Sequence, residues 1–467
     1  MRISLVTAFL VGLVSCGGGG GGPDGGAVDA AAAPDAYVPD NIEDFLATVP
    51  GLTFEERQTD YPGYRLFVLH YVQPVDHDDP NGRTFVQRII LHHVDRAAPM
   101  ILYTSGYYLF ALDNLSELGT AMGANQVSTE QRFFGQSVPD GLTADDWQYV
   151  TIAQAAADHH RIVQALAPYY NGIWLSTGHS KGGMTSIYHR RFYPDDVDAT
   201  VAYVAPISFG APDPRYEGFF DTVGTQSCRD ALTAIQREAL TRFSTLLPMA
   251  QAEAQQNGLT FDRAGGQAAA FEGDIAGMNW SFWQYFGQCD SIPATTATDQ
   301  QVYSFVSTVG GIGIDDDSIG RLQTYYYQAE AQLGYPAAPT TGVDDLLQYQ
   351  DVTGDYLPAG TSPTYDGAAA MDDVDQWVKN EGERIMFVYG GADPWYAGAF
   401  DPGSAADTHL YVVPGGNHGS LIADLPMADR EDALDVIERW TGVRPSLPSF
   451  FGSWRVRPPM IRVRPPR

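Results

Sequence analysis

The chain has 467 residues, of which 44% are hydrophobic, and it carries 57 acidic side chains against 27 basic ones. This length and apolar content allow a full core and exceed one minimal catalytic domain, so we expect a second domain or a large insertion. The formal net charge of −30 argues against a nucleic acid or an anionic membrane surface as a partner.

The first 40 residues indicate an export signal followed by a tether. Residues 3–14 form an apolar run that is too short to span a bilayer and is typical of a signal peptide. Leu-Val-Ser-Cys at residues 13–16 resembles a bacterial lipobox, which predicts lipidation of Cys16; an ordinary secretory signal is the alternative. Residues 17–40 are rich in glycine and alanine and predict a flexible tether. We therefore expect an exported bacterial protein that is lipid-anchored at the cell envelope, or otherwise secreted.

The following segment alternates strand and helix signals. Apolar and β-branched runs predict strands at residues 64–72, 84–94 and 99–104. Residues 143–169 predict one helix, with Thr143 as its N-cap and two aspartates in its first turn. Such alternation is typical of an α/β domain.

A nucleophile elbow is predicted around Ser180. Gly-His-Ser-Lys-Gly at residues 178–182 follows the apolar run Ile173-Trp174-Leu175 and precedes a helical stretch at 184–191. A strand, a sharp turn and a helix with serine at the tip form this motif, and the glycines prevent collisions in the strained turn. Residues 201–207 predict the strand that follows the elbow helix.

Two later strands carry an acid and a histidine. The strand at residues 384–389 ends in two glycines followed by Asp393, and the strand at 410–413 ends in a glycine-rich loop that contains His418. The order serine, aspartate, histidine, each just past a strand, predicts an α/β-hydrolase fold. In this catalytic triad His418 accepts the proton of Ser180, and Asp393 fixes the imidazole tautomer and stabilises the imidazolium.

The oxyanion hole and the cofactor requirement follow from the same arrangement. Its donors would be the backbone N–H of Lys181 and one near Tyr107. The chemistry requires neither a metal nor an organic cofactor.

Between residues 210 and 376 the alternation of strands and helices disappears. Helical stretches at 229–247 and 319–333 alternate with loops, which predicts a mostly helical cap inserted between nucleophile and acid. A second domain without a role in catalysis is the alternative. Cys228 and Cys289 lie in this insertion and would form a disulfide or remain two free buried thiols.

The remaining domain boundaries follow from the position of the cap. The hydrolase core would comprise residues 41–209 and 377–445, and its closing helix would lie at 429–441. Residues 446–467 combine arginines with prolines and predict a disordered basic tail.

Several motifs resemble one family. Residues 178–185 and 188–198, together with 73–77 and 130–137, are similar to secreted tripeptidyl aminopeptidases of the PS-10 type, the serine peptidase family S37 of the α/β-hydrolase superfamily. Residues 130–132 also resemble the Glu-His-Arg segment of the lysosomal prolyl carboxypeptidase and dipeptidyl peptidase group, although Gln131 replaces its histidine. The resemblance implies a serine exopeptidase that releases tripeptides from free amino termini, in some members after proline.

Substrate-binding roles are predicted for three residues outside the triad. Glu130 would bind the α-ammonium group of the substrate; a structural ion pair with Arg132 or another basic residue is the alternative. Phe133 and Trp395, with Tyr107, would form an apolar wall for a proline ring, unless they are ordinary core residues.

Two other functions stay open at this point, because the triad geometry does not distinguish an ester from an amide. They are an esterase or lipase of the same fold and a non-catalytic surface lipoprotein. The oligomeric state is not predicted.

Overall fold

The computed structural model describes residues 38–337, 342–352 and 354–447. In this part of the chain nine strands form one sheet, in the order β1-β2-β3-β5-β4-β6-β7-β8-β9. They are β1 (Leu52–Arg57), β2 (Arg65–Pro74), β3 (Thr84–His93), β4 (Met100–Thr104), β5 (Asn125–Thr129), β6 (Trp174–His179), β7 (Ala199–Tyr203), β8 (Ile385–Gly390) and β9 (Thr408–Val413).

The sheet has an antiparallel edge and a parallel centre. β1, β2 and β3 pair antiparallel, and β3 joins β5 antiparallel. From β5 through β4 to β9 all neighbours run parallel. β7 and β8 are buried along their whole length because helices cover both faces, which explains their continuous apolar sequences.

Helices pack on both faces of this sheet. The described helices are α1 (Ile42–Leu46), α2 (Glu117–Ala121), α3 (Ile152–Leu166), α4 (Lys181–Phe192), α5 (Gln226–Thr241), α6 (Phe243–Gln256), α7 (Gln267–Ala276), α8 (Met278–Ser281), α9 (Asp299–Val309), α10 (Asp316–Gln328), α11 (Gly367–Asn380) and α12 (Met427–Thr441). One buried cluster joins α3, α4 and α11 to the sheet, and another joins α2 and α12 to its opposite face. This three-layer arrangement confirms the predicted α/β-hydrolase fold.

Helices α5 to α10 lie between β7 and β8 and share a hydrophobic core of their own. A disulfide joins Cys228 at the start of α5 to Cys289. The predicted end of the cap at residue 376 lies inside α11, which packs on α4 and the sheet.

Two helices predicted as continuous are each broken. Residues 143–169 contain a 3₁₀ helix, Ala144–Tyr149, followed by the separate helix α3. The break occurs because the backbone of Val150 leaves the helical conformation. The side chain of Thr151 then accepts a hydrogen bond from the backbone N–H of Gln154 and caps α3. Residues 229–247 divide into α5 and α6 at Arg242. Strands β1 and β5 were not predicted.

Some predictions fall on residues that the structure does not describe. Cys16, the signal segment and residues 17–37 of the tether lie outside the described residues, and so does the tail from residue 448 onward. In the described part, none of the helices combines the length and the apolar composition that crossing a membrane requires.

Candidate active site

Ser180 sits at a sharp turn between β6 and α4. Its backbone has φ of 55° and ψ of −126°, a strained conformation for a residue other than glycine. A side chain on Gly178 would collide with the backbone of Gly182, and one on Gly182 would collide with the carbonyl of Thr104. The elbow therefore requires glycine at both flanking positions, as predicted.

Asp393 and His418 form a buried hydrogen-bonded pair. Nδ1 of His418 lies 2.6 Å from Oδ2 of Asp393, and the side chains are 3% and 0% exposed. The other carboxylate oxygen of Asp393 accepts a hydrogen bond from the backbone N–H of Trp395. Two anchored oxygens fix the carboxylate, and the carboxylate fixes the imidazole tautomer with Nε2 available as a base.

A cavity of about 610 Å³ lies at the carboxyl ends of the parallel strands. Ser180 and His418 line it together with Lys181, Tyr107 and Trp395, whereas Asp393 lies behind His418. The cap contributes Gln284, Tyr285 and Tyr325 to its wall. The structure thus places the predicted nucleophile and base on the wall of one cavity.

The predicted oxyanion donors lie beside the nucleophile. Lys181 is the first residue of α4, so its backbone N–H has no intrahelical acceptor. The loop after β4 packs directly on the elbow, because a side chain on Gly106 would meet the backbone of Lys181 and Gly182. The N–H of Tyr107 makes a long hydrogen bond of 3.3 Å to Ser105 Oγ.

Residues 33–450 match the family of the PS-10 peptidase S37. The prolyl tri/tetrapeptidyl aminopeptidase of Streptomyces mobaraensis is 40% identical over 454 residues, which cover 95% of this chain and 92% of that protein. The chain belongs to the S37 family. It is a serine exopeptidase.

More distant likenesses are also found. The thymus-specific serine protease of Mus musculus is 31% identical over 150 residues, which are 29% of this chain and 30% of that protein. The solved proline iminopeptidase of Mycobacterium smegmatis has a TM-score of 0.39 at 14% identity and covers 80% of this chain and 98% of its own. Acetyl xylan esterase 1 from Thermoanaerobacterium sp. JW/SL YS485 has a TM-score of 0.37 at 12% identity and covers 85% and 90%.

Glu130 does not reach the cavity of this S37 peptidase. Its side chain is fully buried, and its Oε1 accepts hydrogen bonds from Arg88 and from the backbone N–H of Leu109. Its Oε2 accepts from the backbone of Gln136 and from Ser137 Oγ. The substrate-binding prediction for Glu130 is therefore wrong, since its oxygens are occupied by the protein. The alternative of a structural ion pair fits, although the partner is Arg88, because Arg132 pairs with Asp158.

The prediction that Phe133 forms part of an apolar wall of the site is also wrong. It belongs to a buried cluster with Val75, Phe85, Trp147 and Val150 and does not line the cavity. Trp395 and Tyr107 do line the cavity. Both also pack against the cap, Trp395 on Trp280 and Tyr107 on Tyr325.

The cap holds the histidine loop, a contact that the sequence did not reveal. The backbone N–H of His418 donates to the carbonyl of Gln284 at 3.0 Å, and Asn417 Nδ2 donates to the carbonyl of Tyr285 at 3.0 Å. Backbone carbonyls leave no signature in a sequence. The cap therefore contacts the histidine loop directly, which favours the cap over an unrelated second domain.

Glu117 is a second site feature that the sequence did not indicate. It lines the cavity and accepts hydrogen bonds from Tyr203 Oη and from the backbone N–H groups of Ile422 and Ala423. Burial raises the pKa of its carboxyl group to about 7. Glu117 lies in the first turn of the short helix α2, where acidic residues are common, so the sequence did not mark it as a site residue. It ties the segment after His418 to β7.

In the described residues, no group of three or more histidine, cysteine, aspartate or glutamate side chains could hold a metal ion. The neighbouring histidines at 92 and 93 pair separately, with Asp113 and Tyr170.

Proposed function

We propose that this exopeptidase releases tripeptides or tetrapeptides from free amino termini, with proline before the cut, through Ser180, His418 and Asp393. The observation that carries the proposal is the buried hydrogen bond of 2.6 Å between His418 and Asp393, on the cavity that Ser180 also lines. The proposed substrate preference is that of the prolyl tri/tetrapeptidyl aminopeptidase of Streptomyces mobaraensis, which is 40% identical over most of both chains.

The chemistry follows from these positions. Ser180 attacks the carbonyl carbon of the peptide bond while His418 Nε2 takes its proton, and His418 then gives this proton to the leaving amine. Asp393 stabilises the imidazolium during both steps. Backbone N–H groups of Lys181 and of the loop at Tyr107 hold the oxyanion. Water repeats the attack on the acyl-enzyme and releases the short peptide.

The cavity supplies the features that a short amino-terminal substrate needs. Trp395 and Tyr107 offer aromatic surface for a proline ring before the cut. Among the residues that line the cavity, the carboxylates are those of Glu117 and Asp424. The oxygens of Glu117 already accept hydrogen bonds from Tyr203 and from two backbone N–H groups, so the exposed Asp424 is the candidate to face the α-ammonium group. The cap covers the site and limits the length of chain that fits on the amino-terminal side.

The test compares the wild type with Ser180→Ala on alanyl-alanyl-prolyl-p-nitroanilide and on its N-acetyl derivative. We expect the wild type to release the tripeptide and to cleave the acetylated compound at least about 100-fold more slowly. Ser180→Ala should lower kcat by about 10⁴-fold or more. Mass spectrometry of longer peptides that contain proline at position three or four identifies the products.

A matched control is Ser176→Ala, which removes a buried serine of β6 whose hydroxyl hydrogen-bonds to that of Thr200. It should keep its activity and its labelling by a fluorophosphonate, which Ser180→Ala should lose. Release of single residues, cleavage inside long peptides, or hydrolysis of esters without any of amides would contradict the proposal.

We also propose that the protein is exported and lipidated at Cys16. The support is the sequence Leu-Val-Ser-Cys at residues 13–16, followed by a glycine-rich tether. In a bacterium that processes lipoproteins, the wild type should partition into detergent and carry a diacylglyceryl mass, and Cys16→Ser should do neither. A wild type that is recovered without lipid in the medium would show an ordinary secretory signal instead.

A further inference from the structure

The side chain of Lys181 is buried beside the nucleophile, and the triad chemistry gives it no task. The residue is 2% exposed, and its Nζ donates a hydrogen bond of 2.7 Å to the carbonyl oxygen of Gly106. Nζ also lies 5.4 Å from the centres of the Tyr107 and Phe134 rings. A carbonyl and two aromatic faces are favourable surroundings for an ammonium ion.

This position is costly for a lysine. Among the described residues, no carboxylate lies within ion-pair distance of Lys181, whereas Lys379 pairs with Asp375. An ammonium ion that is buried without a countercharge destabilises the fold, and a methionine of similar length would not. Packing alone therefore does not explain a lysine at this site.

The partner of Lys181 belongs to the loop that supplies the second oxyanion donor. Gly106 has φ of 71°, and its Cα faces the backbone of Lys181 and Gly182 so closely that a Cβ would lie 2.5 Å from the nitrogen of Gly182. The Gly106 carbonyl and the Tyr107 N–H belong to one peptide group. In a trans peptide these two groups point in opposite directions, so a bond to the carbonyl fixes the direction of the N–H.

We propose that the Lys181 side chain is a positioning residue of the oxyanion hole: its ammonium group holds the Gly106 carbonyl and thereby fixes the direction of the Tyr107 N–H, which exchanges its long 3.3 Å bond to Ser105 Oγ for the oxyanion during attack. The same residue then serves both donors, one through its own backbone N–H and the other through its side chain. The ammonium charge also favours the negative oxygen that develops during attack. This inference rests on the proposed function.

Protonation of Lys181 gives the inference a second readout. Burial lowers the pKa of its ammonium group to about 7. The titratable groups that line the same cavity are the phenols of Tyr107 and Tyr325, whose pKa burial raises, the imidazoles of His179 and His418, and the carboxyl groups of Glu117 and Asp424. Burial raises the pKa of Glu117 to about 7 as well, so the Lys181 variant is needed to assign the alkaline change. As the pH rises through about 7 the ammonium charge is lost, so kcat should decline on the alkaline side.

The test compares the wild type with Lys181→Met on the tripeptidyl anilide. We expect kcat to fall by about 10- to 100-fold with KM within about threefold, because the lost interaction acts on the transition state. The inhibition constant of a tripeptide aldehyde, which forms an oxyanion on Ser180, should weaken by a similar factor. Binding of the product tripeptide should not change. The alkaline decline of kcat should disappear, and the midpoint of thermal unfolding should stay the same or rise.

A variant that retains wild-type kcat and aldehyde affinity would overturn the inference, and so would equal losses in aldehyde and product binding. If Lys181→Met does not fold, Lys181→Gln carries the same comparison: its neutral amide can still donate to Gly106, so an intermediate kcat without the alkaline decline is expected. A wild type that hydrolyses no peptide but is labelled by a fluorophosphonate would contradict the proposed substrate. The labelling rate, which also depends on the oxyanion hole, then replaces the aldehyde comparison: equal rates for the wild type and Lys181→Met would overturn the inference.

Discussion

At the scale of single residues, access to the cavity decides what a buried acid–base pair can do. Asp393 pairs with His418, Glu130 with the largely buried Arg88, and Arg132 with Asp158. Only His418 of these groups lines the cavity. The side chains of Glu130 and Arg132 form hydrogen bonds with backbone groups and stabilise the fold.

The role of Glu130 leads to a prediction about stability rather than specificity. Glu130→Gln should lower the free energy of unfolding by about 3 kcal/mol, because it leaves Arg88 largely buried without a countercharge. The ratio of activities on free and N-acetylated tripeptidyl anilides should stay that of the wild type. Denaturant unfolding and initial rates on both substrates check this.

Glu55→Gln is the matched control for Glu130→Gln. Glu55 pairs with Arg57 on the exposed strand β1, and an exposed pair contributes little to stability. Its unfolding free energy should change by less than about 0.5 kcal/mol. A selective loss of activity on free-amine substrates in Glu130→Gln would restore the role in binding the α-ammonium group.

At the scale of elements, the sequence predicts those parts of the site that depend on local pattern. The elbow, the acid and the histidine each follow an apolar strand in a glycine-rich turn, so their order and their sheet edge could be predicted. β5 could not, because four of its five residues are polar although all five are buried. The side chains of Asn125 and Gln126 donate hydrogen bonds to loop carbonyls, and the hydroxyl of Thr129 hydrogen-bonds to His159. Partners distant in sequence therefore satisfy the buried polar groups of a strand that has no apolar pattern.

The wrong predictions share the same physical cause. Glu130 has its ion-pair partner 42 residues away on β3, and no spacing rule identifies such a contact. The break between α5 and α6 occurs where Arg242 bonds to the carbonyls of Thr295 and Ala297. In each case tertiary contacts outweigh the local signal.

At the scale of the whole molecule, charge and the cap act together on the substrate. The formal net charge of −30 would favour the approach of a peptide with a positive α-ammonium group over that of an anionic one. The cap then brings Gln284 and Tyr285 onto the histidine loop, so closure of the cavity and placement of His418 depend on the same contacts. Damage to the cap should therefore affect catalysis as well as stability.

The disulfide in the cap tests this coupling. It joins residues 61 positions apart, and Cys289 follows Gln284, whose carbonyl holds His418, by five residues. Replacing both cysteines with serine should lower the free energy of unfolding by up to about 4 kcal/mol, because the unfolded chain regains the freedom of the closed loop.

The same double variant should lose several-fold in kcat at temperatures below its unfolding transition, since the segment that holds His418 is less constrained. Reducing the wild type with dithiothreitol should reproduce both effects and leave the serine variant unchanged, which separates loss of the bridge from the substitutions themselves. Unfolding is measured by circular dichroism and kcat on the tripeptidyl anilide. An unchanged kcat in a clearly destabilised variant would show that the core alone positions His418.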